Sequence, residues 1–336
     1  MKTISVFNNK GGVGKTTLLC NLASYISKKR GKRVLVVDAD PQCNASIYLF
    51  GIDKVTKVLE EQEPKTVNRI FDSVQEGKGF ISKDAIPIEK SEGFDVDVIF
   101  GDTNLSTLED FLSSDWLAGK NGDERGLRTT LVFCDLLRKL QADYDYVFFD
   151  IGPSLGAINR VVLFACNFFL MPVSSDIFCL KAIDNISEVL KKWTTQLKKG
   201  LEDYEQSRRK IFQIGDYSYE NNLNYLGYVV QQYRAKLHHP VKAYEHIITQ
   251  IPERIKTNLQ KFYPSDWDVN TFKIGDIPNF NSLIPLSQIA TKPVFSLEGK
   301  DGVVGAHFAK VKEFENVIKG IVLNIFKIIE KYDTLA

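Results

Sequence analysis

The sequence predicts an α/β fold built on one doubly wound, mostly parallel sheet with helices on both faces. Three observations predict this fold. Short apolar segments alternate with helical segments along the chain. Residues 34–37 form a continuous, branched apolar run, which is typical of a strand that is buried on both faces. A glycine-rich loop connects the first apolar segment to the first helical segment, as is common in folds of this class.

Apolar spacing places the elements in chain order. Leu18, Leu22 and Ile26 lie on one face of a predicted helix over residues 15–29, because apolar residues recur there every three or four positions. Strands alternating with helices require right-handed crossovers, which give a parallel sheet covered on both faces. The other predicted elements are strands at 3–7, 33–38, 94–100, 146–150, 168–173 and 226–232, and helices at 127–140, 180–197, 241–250 and 304–332.

The length of 336 residues is compatible with two domains or with one large α/β domain. We predict a single domain over residues 1–336, because the alternating pattern continues almost to its end. Two segments without a clear period, residues 200–224 and 261–281, interrupt the pattern. We interpret them as insertions, and expect the specificity of this protein to lie there.

The charge and the cysteines limit the class of protein. Lys plus Arg number 43 and Asp plus Glu number 42, so the net charge is +1. This balance excludes a strongly basic nucleic-acid-binding chain but not a local basic surface. The five cysteines are widely spaced and form no C-x-x-C pair, which favours reduced thiols. No segment has the ~20 consecutive apolar residues of a transmembrane helix, and we expect a cytoplasmic protein.

The loop after the first strand is the strongest functional signal. Its glycines let backbone N–H groups turn inward around phosphate oxygens, and the helix that follows adds the positive end of its dipole. We expect Lys15 to neutralise the β- and γ-phosphates and the Thr16 hydroxyl to bind Mg²⁺. The predicted nucleotide-binding loop consists of Lys10, Gly11, Gly12, Val13, Gly14, Lys15, Thr16 and Thr17.

Three acidic side chains follow predicted strands. Asp38 and Asp40 stand at the end of the second strand, and Asp150 ends the apolar strand 146–150. The carboxyl ends of parallel strands are where ligands bind in open α/β sheets. Two carboxylates two residues apart can serve a metal and a water separately, and phosphoryl transfer depends on such positioning.

These motifs resemble the deviant Walker A family, which includes ParA partition ATPases, MinD and the nitrogenase iron protein. Asn9 stands where the ordinary Walker A pattern has glycine, and Lys10 precedes Lys15 by five residues. Residues 38–42 match the first switch of the family, D-x-D-P-Q. Residues 151–156 resemble its second switch, although Gly152 stands where proline is common.

The resemblance implies a role for each of these residues. Lys10 would reach across a sandwich dimer to the nucleotide of the partner, which makes Lys10, Lys15 and Asp40 the predicted catalytic residues. Asp40 would orient or activate the attacking water. Asp38 and Asp150 would lie on the Mg²⁺ side, so that the predicted metal site consists of Thr16, Asp38 and Asp150.

Two later segments also resemble the family. Residues 229–233 are similar to the strand end near the adenine, and residues 284–290 are similar to the late loop that closes over the base. The resemblance implies that Gln231, Tyr233 and Pro285 contact the base. A simple packing role is the alternative for these residues.

The favoured function is a ParA-like partition or positioning ATPase with ATP and Mg²⁺ as cofactors. The resemblance implies an ATP-dependent homodimer, slow hydrolysis, nonspecific DNA binding in the ATP state and a ParB-like stimulating partner. Such a protein would be associated with the nucleoid. DNA phosphates require basic side chains, and the candidates are Lys191, Lys192, Lys198, Lys199, Arg208, Arg209, Lys210, Arg234 and Lys236.

The alternative function is a MinD-like or secretion-associated switch that acts on a membrane or a protein partner without DNA. Residues 317–329 have apolar residues at helical spacing with lysines between them, as a membrane-binding helix can have. We interpret this segment as core packing instead, because it continues the helix that closes the predicted domain.

Overall fold

A computed structural model of the chain describes residues 1–174, 176–233, 242–280 and 282–335. Its strands alternate with helices, as the sequence predicts. Most of the strands are short and deeply buried, because helices cover both faces of the sheet. The strands are β1 (Lys2–Val6), β2 (Val34–Asp38), β3 (Glu89–Ser91), β4 (Val96–Ile99), β5 (Tyr146–Asp150), β6 (Phe168–Val173), β7 (Gln213–Ile214), β8 (Tyr217–Ser218), β9 (Asn224–Tyr233) and β10 (Lys273–Pro278).

Within the described residues, eight strands form one sheet in the order β10-β9-β6-β1-β5-β2-β4-β3. Every neighbouring pair is parallel except β3 and β4 at one edge. This arrangement confirms the predicted fold class. The register aligns Val6 of β1 and Asp38 of β2 with Asp150 of β5, so the loops after these three strands meet at one edge of the sheet.

The helices pack on both sides of this sheet. The first helix ends at Gly31, whose φ of 63° allows its N–H to bond back to the carbonyls of Ile26 and Ser27. The helices are α1 (Lys15–Arg30), α2 (Asn44–Phe50), α3 (Ile52–Leu59), α4 (Asn68–Gln75), α5 (Leu105–Gly119), α6 (Glu124–Thr130), α7 (Val132–Leu140), α8 (Ala157–Ala165), α9 (Ile177–Arg208), α10 (Lys242–Asn258), α11 (Ile284–Ala290) and α12 (His307–Asp333).

Some element bounds differ from the prediction. The single helix predicted at 127–140 is two helices, α6 and α7, which meet at Leu131, where the backbone leaves helical geometry. Helix α9 is longer than predicted and occupies the first part of segment 200–224, which then forms the β7–β8 hairpin. Segment 261–281 contains β10, which pairs with β9 as an edge strand of the main sheet.

Helix α12 packs with its apolar face inward. Ile318, Ile321, Val322 and Ile325 are almost completely buried, and the helix packs on β10 and α1. The burial supports the interpretation of this segment as core. In the described part of the chain, no helix combines the length and the apolar character needed to cross a membrane.

Candidate functional site

The phosphate loop turns between β1 and α1. Gly12 and Gly14 have φ values of 71° and 72°, in the left-handed region that favours glycine. A Cβ on Gly14 would also contact the Gln231 side chain at 3.4 Å. Glycine is therefore required at residue 14 by the backbone conformation, and the adjacent side chain leaves little room for a larger residue.

Lys15 lies at the base of this loop with its side chain buried. Its ammonium donates to the carbonyls of Asn8 and Lys10, each at 3.2 Å. Burial lowers the pKa of Lys15, and the carboxylates of Asp150 and Asp40 act in the opposite direction. A buried ammonium held only by neutral carbonyls is suited to bind an anion.

Thr16 and Asp150 contact each other behind the loop. The Thr16 hydroxyl donates to Asp150 Oδ2 at 2.7 Å. Asp150 is fully buried, and its other oxygen, Oδ1, has no hydrogen-bond partner among the described residues. Burial and the charge of Asp38 raise the pKa of Asp150 well above its usual range. A divalent cation would supply the missing positive charge, so this pair fits Mg²⁺.

No cluster of three or more His, Cys, Asp or Glu side chains that could hold a metal exists among the residues that the structure describes. Mg²⁺ commonly takes few protein ligands and completes its shell with phosphates and waters. The Thr16–Asp150 pair therefore fits a metal that arrives with a nucleotide.

The two carboxylates after β2 lie in different surroundings. Asp40 lines the open cleft and accepts from the N–H of Gln42 at 3.0 Å. Asp38 is fully buried and does not line the cleft. Its Oδ2 accepts from the backbone N–H of Ser46 at 2.8 Å and from the Ser46 hydroxyl at 2.6 Å. Burial raises the pKa of Asp38 to about 6, although these hydrogen bonds act against the increase.

A cleft of about 890 Å³ opens over the phosphate loop. Asp40 lies on one side of it, and Pro153 of the second switch also contributes. The volume is within the range of small-molecule and cofactor sites. The remaining lining residues come from α2, α3 and α11 and the chain next to them, and include Gln42, Asn44, Tyr48, Ile52, Gln288 and Ile289.

A second cavity, of about 270 Å³, lies on the other side of Gly14 and Thr17. Gln231 and Pro285, which the resemblance places near the base, line it, and its wall is otherwise mostly apolar. The Gln231 Nε2 is buried without a hydrogen-bond partner among the described residues. Of Tyr233 only the backbone in β9 is described.

Lys10 points toward the start of α9. Its ammonium forms an ion pair with Asp176 and donates to the Ser174 hydroxyl at 3.1 Å. Asp176 also accepts from the N–H of Phe178 and so caps α9. Lys10 is about one third exposed, and thus remains accessible at the surface.

Two polar residues that sequence reasoning missed support the switches. Asn159 donates to the carbonyls of Gly152 and Ser154, at 2.8 and 2.6 Å, and so holds the loop over residues 151–156. Ser46 holds Asp38, as described above. Ser46 begins no motif, so the sequence gives no signal for it. Asn159 stands in an apolar stretch, and a polar residue at such a place is the one signal that could have identified it.

The predicted DNA-binding residues follow α9 on its outer side. Lys192, Lys198 and Lys199 are exposed, and Lys191 is partly buried. Lys198 lies 3.8 Å from Glu202, which is a weak surface pair. Arg234 and Lys236 lie outside the described residues. The remaining candidates are exposed at the end of the helix, namely Arg208, Arg209 and Lys210.

Comparisons with known proteins identify a family and relatives of this chain. The family model AAA_31, described as an AAA domain, matches residues 1–203. The chromosome partitioning protein ParA of Myxococcus xanthus is 28% identical over 194 residues. That match spans 56% of this chain and 58% of the ParA protein, so this chain spans little more than half the length of that relative.

Two solved structures resemble the whole chain. Protein DIP2308 from Corynebacterium diphtheriae has 27% identity and a TM-score of 0.76, and the match covers 98% of this chain and 99% of that protein. The McdA–ATP complex from Cyanothece has 16% identity and a TM-score of 0.63, with 97% and 96% covered. At this low identity, the similarity to McdA supports the fold alone. Both matches include the two segments that we interpret as insertions.

Proposed function

Because this chain belongs to the AAA domain family AAA_31, within the ParA-type P-loop ATPases, we propose that it is an ATP-dependent dimerisation switch. In this proposal it hydrolyses ATP slowly and serves the partition or positioning of DNA or another cargo. The observation that carries the proposal is the convergence of three features on one cleft. These are the buried ammonium of Lys15, the Thr16–Asp150 pair and the carboxylate of Asp40, which lines the cleft.

In the proposed mechanism, the backbone N–H groups of the loop and the start of α1 bind the phosphates. Lys15 exchanges its two carbonyl partners for phosphate oxygens and neutralises their charge. Thr16 and Asp150 would hold Mg²⁺, which would supply charge neutralisation to the phosphates. Asp40, on the open side of the cleft, orients the attacking water and accepts its proton.

The rim of the cleft supports pairing with a second copy of this chain. Ile289 is 82% exposed and Ile52 is 58% exposed, and both line the cleft. Phe178 is 63% exposed and lies 6.0 Å from the ammonium of Lys10. Exposed apolar side chains next to a functional cleft are typical of an interaction surface. We propose that two copies meet across this face and that Lys10 then leaves Asp176 for the nucleotide of the partner.

The DNA-binding part of the proposal depends on α9. Its exposed lysines and the basic residues at its end lie on one long element, and a two-fold dimer presents this element twice. Doubling the number of phosphate contacts steepens the salt dependence of binding. A dimer can therefore bind DNA while a monomer of net charge +1 binds weakly. The membrane alternative has less support, because α12 uses its apolar face in the core.

The test is a binding titration with random-sequence duplex DNA at several salt concentrations, with ATP or ADP. We expect salt-dependent binding with ATP and at least tenfold weaker binding with ADP. The variant K198A/K199A should weaken binding in the ATP state, whereas K327A, which changes an exposed lysine on α12, should not. Equal or absent binding in both nucleotide states at low salt would contradict the DNA function. Binding to vesicles of anionic phospholipid instead would support the membrane alternative.

A further inference from the structure

A buried arginine stands on the helix that follows the second switch. Arg160 of α8 is only 7% exposed, and its Nε and Nη2 have no hydrogen-bond partner among the described residues. Its guanidinium lies 4.6 Å from the ring centre of Trp116 and 5.5 Å from that of Trp193. Burial lowers the pKa of Arg160 to about 10. The guanidinium therefore lies over two indole rings, one from α5 and one from α9, and the carboxylate of Glu109 on α5 also stabilises its charge.

The same helix is joined firmly to the second switch loop. Helix α8 has no capping side chain of its own. Instead, the carboxylate of Glu109 on α5 accepts from the N–H of Ala157 at 2.6 Å. Asn159 holds the carbonyls of Gly152 and Ser154 in the loop, as described above. A displacement of loop 151–156 must therefore displace the start of α8 or break these bonds.

The two tryptophans belong to helices that pack tightly on each other. A Cβ on Gly200 of α9 would lie 2.3 Å from the carbonyl oxygen of Gly119 on α5, closer than atoms can approach. The two helices are therefore in backbone contact at this point, and Arg160 lies against one indole ring from each of them.

The second switch loop, which is bonded to the start of α8, also reaches the nucleotide cleft. A Cβ on Gly152 would lie 3.3 Å from Asp40 Oδ1, so the loop touches the carboxylate proposed to orient the water. Helix α9 carries the exposed lysines proposed to bind DNA. The path from Gly152 through α8 and Arg160 to Trp193 is continuous, and each step is a direct contact.

We propose that Arg160 is a positioning residue that couples the second switch loop to helix α9. When the nucleotide state moves loop 151–156, α8 moves with the loop, and the guanidinium shifts the indole of Trp193 and the helix that carries it. This inference rests on the proposed ATP switch. It adds a connection between the γ-phosphate side of the cleft and the basic helix.

The protein itself offers an optical test, because its three tryptophans are Trp116, Trp193 and Trp267. In a W267F background, only the two indoles beside Arg160 fluoresce. We expect their emission to differ between saturating ADP and a non-hydrolysable ATP analogue with Mg²⁺. The variant R160M should remove this difference, whereas R160K, which keeps a cation between the rings, should retain part of it. R138M is the matched control, because Arg138 lies on α7 away from the switch loop, and it should leave the difference intact.

Binding of a fluorescent ATP analogue is measured for every variant in parallel. Unchanged affinity in R160M, with loss of the emission difference, supports the coupling, because a merely misfolded variant would lose both. The coupling predicts in addition that the ratio of DNA affinities with ATP and ADP falls about fivefold or more in R160M. An emission difference that survives in R160M, or none in the W267F parent with nucleotide bound, would overturn the inference alone. A parent that binds no ATP would overturn the proposed function as well.

Discussion

At the scale of single residues, the site combines side chains that the sequence could identify with partners that it could not. The loop motif identifies Lys15 and Thr16, because glycine at residues 12 and 14 is needed for a left-handed backbone. The partners depend on tertiary packing: Thr16 meets Asp150 only after β1 and β5 pair. The burial of Asp38 beside Ser46 was likewise inaccessible to a spacing argument.

Lys15→Ala should abolish nucleotide binding. The ammonium is the cation that Asn8 and Lys10 carbonyls hold at the base of the loop, and its loss leaves the phosphate charge uncompensated. Titration with a fluorescent ATP analogue should show at least a hundredfold weaker affinity. Lys32→Ala, at an exposed lysine after α1, should bind as the parent does. Retained ATP affinity in Lys15→Ala would refute the assignment of the loop.

Asp40→Ala should bind ATP and hydrolyse it poorly. The side chain lines the cleft and, among the described residues, its hydrogen bond is within a local turn, so the fold should tolerate its removal. Loss of a general base slows turnover by about a hundredfold or more. Phosphate release under saturating ATP measures this effect. Turnover at the parental rate would remove Asp40 from the mechanism.

Asp38 should make the nucleotide-free protein less stable as the pH rises. The pKa of this carboxyl is about 6 in the folded chain, against an ordinary value near 4 when unfolded. Between these values the folded chain holds the proton more tightly, so the free energy of unfolding falls as the pH increases from about 4 to about 6. Two pKa units correspond to about 3 kcal/mol.

Urea unfolding at several pH values compares the parent with Asp38→Asn. The variant should show a smaller decrease over this range, and Asp97→Asn serves as the control carboxyl. An identical pH profile for the parent and Asp38→Asn would contradict the assignment.

At the scale of elements, the apolar periodicity of the sequence predicts the central strands and the first helix. It does not predict the edge strand β10 or the boundaries of several helices. Strand β10 lies in a polar segment and becomes a strand only by pairing with β9. The break between α6 and α7 lies at Leu131, which takes a non-helical backbone. No proline or glycine marks this break in the sequence. Helix α8 is buried nearly all round, so its sequence shows no exposed polar face that would separate it from the strand that follows.

Two glycine substitutions in long helices should have opposite effects, because one glycine lies at the contact between α5 and α9 and the other has free space around it. Gly200→Ala should destabilise the protein by about 1–3 kcal/mol, because its Cβ would overlap the Gly119 carbonyl. Gly320→Ala on α12 should stabilise it by up to about 1 kcal/mol, because nothing lies within 4 Å of the new methyl group. Chemical denaturation of both variants tests this pair. A stabilised Gly200→Ala protein would contradict the close packing.

At the scale of the whole molecule, the near-zero net charge is compatible with a regulated DNA-binding protein. Exposed basic residues lie along α9 and at its end, and also at residues 28–33 around the end of α1, whereas apolar side chains lie at the rim of the nucleotide cleft. In our proposal, dimerisation buries the rim and pairs the basic helices. The sequence could suggest both surfaces from motifs and charge runs, but their distribution over the molecule required the fold.

The mass of the protein in solution tests the proposed switch most directly. Light scattering is measured with saturating ADP and with a non-hydrolysable ATP analogue and Mg²⁺, and occupancy is confirmed by a fluorescent nucleotide. Lys10→Ala serves as the variant that should bind nucleotide but fail to pair. Our account predicts a monomer of about 38 kDa with ADP and a dimer of twice that mass with the ATP analogue. The same mass in both states, with nucleotide bound, would contradict it.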